Sequence, residues 1–195
     1  MTKYLISAAF LAAALAPSAA SAQAVPAAVI AVVDLDRVTT DCNACKTASA
    51  SLKSQVALLT NREQQLAGPL KTEGQAIQKA IDALAGKAPD AALEARIKAF
   101  QAKQQSGSAE LTRQQQQLQR NQAYIQQQIQ TKLNPIYQQV MQRRGANVLM
   151  EVGSTLATAT SVDVTADIVT ALNAALPSIQ TSAPAQAQQT PPQGR

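Results

Sequence analysis

Residues 52–84 read LKSQVALLTNREQQLAGPLKTEGQAIQKAIDAL, and this stretch decides the fold. Its apolar residues recur at alternating intervals of four and three, the spacing that places side chains on one seam of a helix. The seam consists of Leu52, Val56, Leu59, Leu66, Leu70, Ile77, Ala80 and Leu84. Glu63 and Glu73 occupy two further seam positions and weaken it. We therefore predict a long helix that packs against a partner along one side.

The partner follows residues 85–90, AGKAPD, which combine turn residues with a helix-start signal. A thinner apolar series then runs from Leu93 to Val140 through a glutamine-rich region. Two long helices joined by so short a connection run antiparallel. At the rise of an α-helix they span roughly 50 Å and roughly 80 Å. The sequence thus predicts a helical hairpin arm over residues 47–144, with its tip near Lys87.

Helix-weakening residues are predicted at one height of this arm. In an antiparallel hairpin centred on residues 87–88, the numbers of facing residues sum to about 175, so Gly68 faces Gly107. Pro69 also removes a backbone hydrogen bond next to Gly68. We predict a hinge formed by Gly68, Pro69 and Gly107, and a second helix break at residues 134–135.

The two ends of the mature chain form the base of the arm. Residues 29–33, VIAVV, are typical of a strand buried on both faces, and Asp34 or Asp36 can cap a short helix after it. Residues 147–152 and 155–159 predict a second and a third strand. A final short helix through residues 163–172 completes this part of the chain.

The predicted fold class is α+β, with a small β body of about three strands and short helices that carries the arm. The body comprises residues 23–46 and 145–176, and residues 177–195 have the composition of a disordered tail. So small a core needs a disulfide, a metal or a partner subunit. We expect association through the sheets, which would project several arms from one body.

The first 22 residues have the three parts of a secretory signal peptide. A short positive start is followed by an apolar run from Tyr4 to Leu15 and by the small-residue pattern Ala20-Ser21-Ala22. The apolar run is too short for a membrane span. We predict cleavage before Gln23 and export, most simply to a bacterial periplasm.

The composition excludes several function classes. The 195 residues include no histidine, which removes serine- and cysteine-histidine catalysis and histidine-ligated zinc. Aromatic residues make up 3%, so the stacking that binds single-stranded nucleic acid is lacking, and we expect no nucleic-acid partner. No phosphate-binding glycine loop is present. We predict no catalytic site, no metal and no cofactor.

The net charge of +5 is unevenly distributed. Residues 52–144 hold 13 Lys and Arg against 6 Asp and Glu, and the rest of the chain holds 4 against 6. A basic arm attracts polyanions and acidic proteins. The alternative is a solvated surface that merely keeps the protein soluble.

Cys42 and Cys45 form a C-x-x-C pair at the root of the arm. In an exported protein this favours a local disulfide. Free thiols remain an alternative, as does a redox or metal role, although the surrounding βαβ unit of a thioredoxin-like site is missing and two thiolates alone make an incomplete zinc site.

Several segments together resemble the Skp/OmpH family of periplasmic chaperones. They are IAVVDLDRV (30–38), the glutamine-bearing hairpin with LNPIYQQV (133–140), NVLMEV (147–152) and DVTADIVTALN (163–173). The resemblance implies a homotrimer with a β body and three tentacle-like arms around a cavity. It also implies ATP-independent holding of unfolded outer-membrane proteins.

On this interpretation the basic residues near the tip half recruit the client. The candidates are Lys71, Lys79, Lys87, Arg96, Lys98 and Lys103. A transient contact with the membrane surface or with lipopolysaccharide stays open. The alternative function is a periplasmic coiled-coil structural or adaptor protein with one fixed partner.

Overall fold

The computed structural model describes residues 25–184, and the predicted signal peptide at residues 1–22 lies outside them. In chain order the elements are β1 (Ile30–Val33), α1 (Leu35–Asp41), α2 (Asn43–Ala83), α3 (Ala91–Arg144), β2 (Val148–Glu151) and α4 (Thr165–Ala175). Single 3-10 turns at Val152–Ser154 and Thr160–Val162 lie between β2 and α4. The described chain is therefore mostly helical, with a small sheet of two strands.

Helices α2 and α3 form the hairpin arm, with 41 and 54 residues respectively. At 1.5 Å per residue they are about 60 Å and about 80 Å long. The connection between them turns through Ala85 and Gly86, whose φ angles are +46° and +88°. Asp90 then caps α3, because its carboxylate accepts a hydrogen bond from the backbone N–H of Leu93 at 2.8 Å.

The helix breaks predicted at Gly68–Pro69 and at residues 134–135 are absent, since α2 and α3 run through both prolines. A proline inside a helix removes one hydrogen bond, yet its fixed φ near −65° is itself helical. Leu66 and Leu70 on α2, and Leu133 and Ile136 on α3, are at least partly buried on both sides of the prolines. This packing holds the turns in place.

Strand β1 lies between two neighbours in the body. It pairs in parallel with β2, with Ile30 opposite Val148 and Val33 opposite Glu151. On its other side, Val32 forms a bridge with Asp163. Because parallel strands need a crossover connection, the whole arm serves as the link between β1 and β2.

The third strand predicted over residues 155–159 is wrong. This segment is irregular, and Leu156 is fully exposed. A strand needs a neighbour for its backbone hydrogen bonds. In the described chain both sides of β1 are occupied, by β2 and by Asp163, and the segment does not pair with the free edge of β2. The apolar residues of the segment therefore remain at the surface of the single chain.

The core of the body lies where α4 packs against α1 and the roots of α2 and α3. Its largest fully buried apolar side chains are Ile168, Leu172, Val38 and Val140, each at most 1% exposed. Asp34 caps α1 by accepting a hydrogen bond from the backbone N–H of Arg37 at 2.9 Å. The body thus joins the first and last elements of the described chain.

Residues 177–184 lie along the arm, which differs from the disordered tail expected from their composition. Ile179 packs at the edge of the core, and Thr181 and Ala183 are partly buried farther along. Hydrogen bonds with side chains of α2 and α3 hold this segment. Residues 185–195 lie outside the described part of the chain.

Candidate functional site

The arm is the candidate site, and a sparse apolar seam holds its two helices together. Ile77 of α2 and Ile125 of α3 are each only 6% exposed. Most other seam positions are half-buried, as at Leu66, where the side chain contacts α3. Val56 was expected in the seam but is 47% exposed. So thin an interface leaves most of the arm surface available for binding.

A polar pair replaces the seam near Val56. Gln55 of α2 is partly buried, and its amide oxygen accepts a hydrogen bond from the Asn121 amide of α3 at 2.7 Å. Asn121 is itself only 5% exposed. The two helices are therefore held here by a specific hydrogen bond rather than by apolar contact.

Two ion pairs join the helices farther toward the tip. Arg62 of α2 donates two hydrogen bonds to Glu110 of α3, at 2.7 and 2.9 Å. In the reverse sense, Arg96 of α3 donates two to Glu73 of α2, at 2.7 and 3.1 Å. These hydrogen bonds hold the pKa of both carboxyls below their usual values. Glu73 was predicted to weaken the seam because it interrupts the apolar series. In the structure it instead helps to hold the two helices together through its ion pair with Arg96.

The residues of the predicted hinge lie between these two ion pairs. Gly107 is buried against Leu66, not against Gly68, while Gly68 and Pro69 are exposed. The residue numbers of Leu66 and Gly107 sum to 173, close to the expected 175. Gly68, however, lies on the side of α2 that faces away from α3. Pro69, Leu66 and Gly107 line a cleft of about 420 Å³ between the helices. Packing is therefore loose at the height where the hinge was predicted.

All six predicted client-binding side chains are exposed around the tip half of the arm, and five of the six are lysines. The lysines are Lys71, Lys79, Lys87, Lys98 and Lys103. Lys87 lies at the tip itself, and Lys103 lines the cleft. The sixth, Arg96, is held by Glu73 and is therefore less free to meet a ligand. These residues form a dispersed basic surface rather than one pocket.

Exposed aliphatic side chains accompany the basic residues. Leu58 is 65% exposed, and Ile81 near the tip is 39% exposed. Such isolated apolar groups are common on protein surfaces. Together with the lysines, they give the arm scattered contact points of both kinds.

A disulfide joins Cys42 and Cys45 at the root of the arm. Both cysteines are buried in the core of the body. Cys42 ends α1 and caps α2, and its sulfur accepts a hydrogen bond from the backbone N–H of Cys45 at 3.2 Å. The disulfide therefore closes the first turn of α2, directly after the end of α1. Residues 25–184 contain no cluster of three cysteine or carboxylate side chains that could hold a metal.

Sequence reasoning missed the contacts between the tail and the arm. Residues 180–183 form hydrogen bonds with three side chains of α3, those of Gln117, Asn121 and Gln128. The available signal was their spacing of four and seven residues, which places them on one helix face. Within a region so rich in glutamine, this signal could not be told from the background.

Comparisons with known proteins agree with this architecture. A family model for outer membrane protein (OmpH-like) matches residues 29–172. Among solved structures, the chain is similar to a crystal structure of a candidate outer membrane chaperone (OmpH-like) from Caulobacter crescentus CB15. The TM-score is 0.67 at 20% identity, and the match covers 85% of this chain and 96% of that chain. No curated protein matches the sequence.

Across residues 25–184, no helix combines the length and apolar character that a membrane span requires. The crystal structure shares the fold, and the family model extends from β1 through the arm and β2 into α4. The resemblance to Skp/OmpH proteins is thereby confirmed, and the chain belongs to the OmpH-like family of outer membrane proteins.

Proposed function

We propose that this chain is an ATP-independent holdase of the periplasm that binds unfolded outer-membrane proteins and prevents their aggregation. Its family, and the description of the Caulobacter protein as an outer membrane chaperone, support a chaperone role. The observation that carries the proposal is the arm, a long two-helix projection with a dispersed, exposed basic surface. Such a surface suits an extended polymer better than a small molecule.

Charge provides the long-range part of binding. The arm holds a surplus of seven positive charges, from 13 basic and 6 acidic residues at 52–144. Five lysines of the tip half are exposed. An unfolded acidic polypeptide is drawn to such a field before it makes contact. Salt weakens this attraction, because exposed charges are screened beyond about 10 Å at 0.1 M ionic strength.

Short-range binding comes from weak contacts at many points. Val56, Leu58 and Ile81 offer isolated apolar surface along α2. Each contact alone is brief, but several contacts with one flexible chain raise the overall affinity. An unfolded client is then held firmly enough to prevent aggregation and can still be released without nucleotide.

The body supports association of several chains. Ile30 and Val148 lie opposite each other and are 43% and 36% exposed, while Leu156 is fully exposed. In the described chain, β2 has β1 on one side only. An open edge next to exposed aliphatic side chains favours pairing with another copy. We propose a homotrimer, the number three being taken from the Skp/OmpH resemblance, with the arms enclosing the client.

One experiment tests both parts of this proposal. The mass of the mature protein in solution is measured together with its ability to suppress aggregation of an unfolded β-barrel protein without ATP. A trimer that suppresses aggregation of several unrelated barrels supports the proposal. A protein that binds a single folded partner and leaves unfolded barrels to aggregate would be a structural adaptor instead.

A further inference from the structure

We propose that the root half of the arm carries a binding site for extended polypeptide backbone, and that residues 179–183 of the same chain occupy it as a displaceable strap. This inference rests on the proposed holdase function and deepens it. The site binds the backbone of a client, and the strap competes with the client for it. The hydrogen bonds between the strap and the arm carry the argument.

Gln128 of α3 pairs with both backbone groups of Gln180. The backbone N–H of Gln180 donates to the Gln128 amide oxygen at 3.0 Å, and the Gln128 amide N–H donates to the Gln180 carbonyl at 2.9 Å. This is the pattern by which one strand pairs with another, with a side-chain amide in place of a strand. It recognises a peptide unit, whatever side chain that unit carries.

The same recognition is repeated farther along the strap. The backbone N–H of Ala183 donates to the Asn121 amide oxygen at 2.8 Å. From the other helix, the Gln55 amide N–H donates to the carbonyl of Thr181 at 3.1 Å. Asn121 is buried and fixed by Gln55, so these two amides are held in position for the strap. Both helices therefore contribute to the site.

The spacing of the amides matches an extended chain. Gln128 and Asn121 are seven residues apart, which is about 10.5 Å along a helix. Gln180 and Ala183 are three residues apart, which is about 10 Å along an extended chain. Burial also alternates along the strap: residues 179, 181 and 183 are partly buried, and residues 180 and 182 are exposed. Gln128 and Asn121, which lie two helical turns apart, therefore reach the backbone of Gln180 and of Ala183, which lie three residues apart.

Side-chain contacts contribute less specificity. The Tyr124 hydroxyl donates to the Gln180 side chain at 3.0 Å, and the Ser51 hydroxyl donates to the Thr181 hydroxyl at 3.0 Å. The remaining strap side chains facing the arm, Ile179 and Ala183, are apolar. An unfolded outer-membrane protein in extended form presents the same unpaired N–H and carbonyl groups. It can therefore take the place of the strap.

Removing the backbone donors of the strap tests this inference. Gln180→Pro with Ala183→Pro deletes the two N–H groups that bond Gln128 and Asn121, and keeps Ile179 against the core. The matched control, Gln180→Ala with Ala183→Ser, retains both N–H groups. We expect the proline variant to bind an unfolded β-barrel protein roughly five- to 150-fold more tightly than the wild type, since the strap loses two hydrogen bonds that are each worth about two- to twelvefold. The control loses the exposed Tyr124–Gln180 contact, as the proline variant does, so the control should gain clearly less affinity and the difference between the two variants measures the N–H groups.

A synthetic peptide of residues 178–187, SIQTSAPAQA, provides a second readout that needs no client. It should bind a chain ending at Pro177, bind the full mature chain at least about threefold more weakly, and lose binding when it carries the two prolines. Gln128→Ala in the shortened chain should also abolish peptide binding, whereas Gln126→Ala, exposed on the same helix, should not.

The outcomes separate this inference from the proposed function. If the wild type binds barrels but the proline variant, the control and the shortened chain all bind them equally, the strap does not compete and the inference is wrong. If no variant binds a barrel, the holdase function is wrong. In that case the peptide experiment still tests the backbone-binding site. Binding of the peptide to the shortened chain supports the site, and absence of binding overturns it.

Discussion

Gly107 of α3 packs against Leu66 of α2, and a Cβ atom added to Gly107 would lie 3.6 Å from the Leu66 Cδ1 atom. That is an ordinary van der Waals distance, so alanine fits without displacing its neighbour. An added Cβ at Gly68 would meet nothing within 4 Å. Both glycines therefore favour flexibility without being required by packing.

The first prediction concerns the proposed hinge. Replacing Gly68, Pro69 and Gly107 together with alanine should stiffen the arm, because each glycine-to-alanine change favours the helix by roughly 1 kcal/mol and the proline change restores a backbone hydrogen bond. Spin labels at the root and the tip should show a narrower distance distribution. An unchanged distribution would remove the hinge.

Gly74→Ala is a suitable control for the hinge. It has the same effect on helix propensity at a different height of the arm, where the added Cβ would lie 3.2 Å from the ring of Phe100. We expect it to leave the root-to-tip distance distribution broad. Narrowing by this variant alone would mean that any added helix propensity stiffens the arm.

The second prediction is a pH dependence of helix pairing. The pKa values of Glu73 and Glu110 are lowered in the folded arm by hydrogen bonds from Arg96 and Arg62. Their stabilising effect is therefore complete above the unfolded carboxyl pKa of about 4.3 and is lost as the pH falls through the lower folded value.

Thermal unfolding followed by circular dichroism checks this dependence. The wild type should melt at a higher temperature than Glu73→Gln with Glu110→Gln at pH 6, and the difference should shrink as the pH falls below the unfolded carboxyl pKa of about 4.3. Asp163, whose pKa is also lowered, first of all by hydrogen bonding with Thr165, is present in both proteins and cancels. A constant difference across this range would contradict the prediction.

The third prediction concerns the basic surface. Lys79→Gln with Lys98→Gln should weaken binding of an acidic unfolded barrel and reduce the dependence of its affinity on salt, because both lysines are exposed near the tip. The matched control is Lys53→Gln with Lys132→Gln, two exposed lysines near the root. Equal losses in the two variants would show that total charge matters and that the tip does not.

The fourth prediction is that the stability of the body depends on α4. Ile168 is fully buried, so Ile168→Ala should lower the free energy of unfolding by about 2 to 5 kcal/mol. Ile81→Ala, at a side chain 39% exposed on the arm, should cost about 1 kcal/mol or less. Urea titration measures both, and similar costs would place the stabilising core elsewhere.

The fifth prediction concerns assembly. Leu156→Asp should shift the mass in solution toward the single chain and leave the circular dichroism spectrum unchanged, because Leu156 is fully exposed in the chain alone. Leu58→Asp makes the same change at an exposed site on the arm and should leave the mass unaltered. A full-sized assembly of the Leu156 variant would exclude this surface from the interface.

The sequence predicted the features that depend on neighbouring residues. The four-three spacing from Leu52 gives the seam, and the turn residues at 85–90 give the position of the tip. The register also follows, because a short turn fixes which residues face each other. Leu66 opposite Gly107 lies within two units of the expected sum.

The errors arise where distant residues decide the structure. The Thr155–Ala159 segment has the composition of a strand, but both sides of β1 are occupied and the segment does not pair with the free edge of β2. Residues 177–184 have the composition of a disordered segment, but side chains such as Gln128 and Gln55, far away in sequence, hold them. Composition describes a segment by itself and contains nothing about such partners.

The parallel pairing of β1 with β2 has a consequence for biogenesis. Val29 and Asn147, which join the strands at their start, are 118 residues apart. Because a chain is synthesised from its amino end, β1 leaves the ribosome long before its partner strand does. Helical hairpins form quickly because their contacts are local. We therefore expect the helical hairpin to form first, from its tip, and the pairing of β1 with β2 to complete the body last.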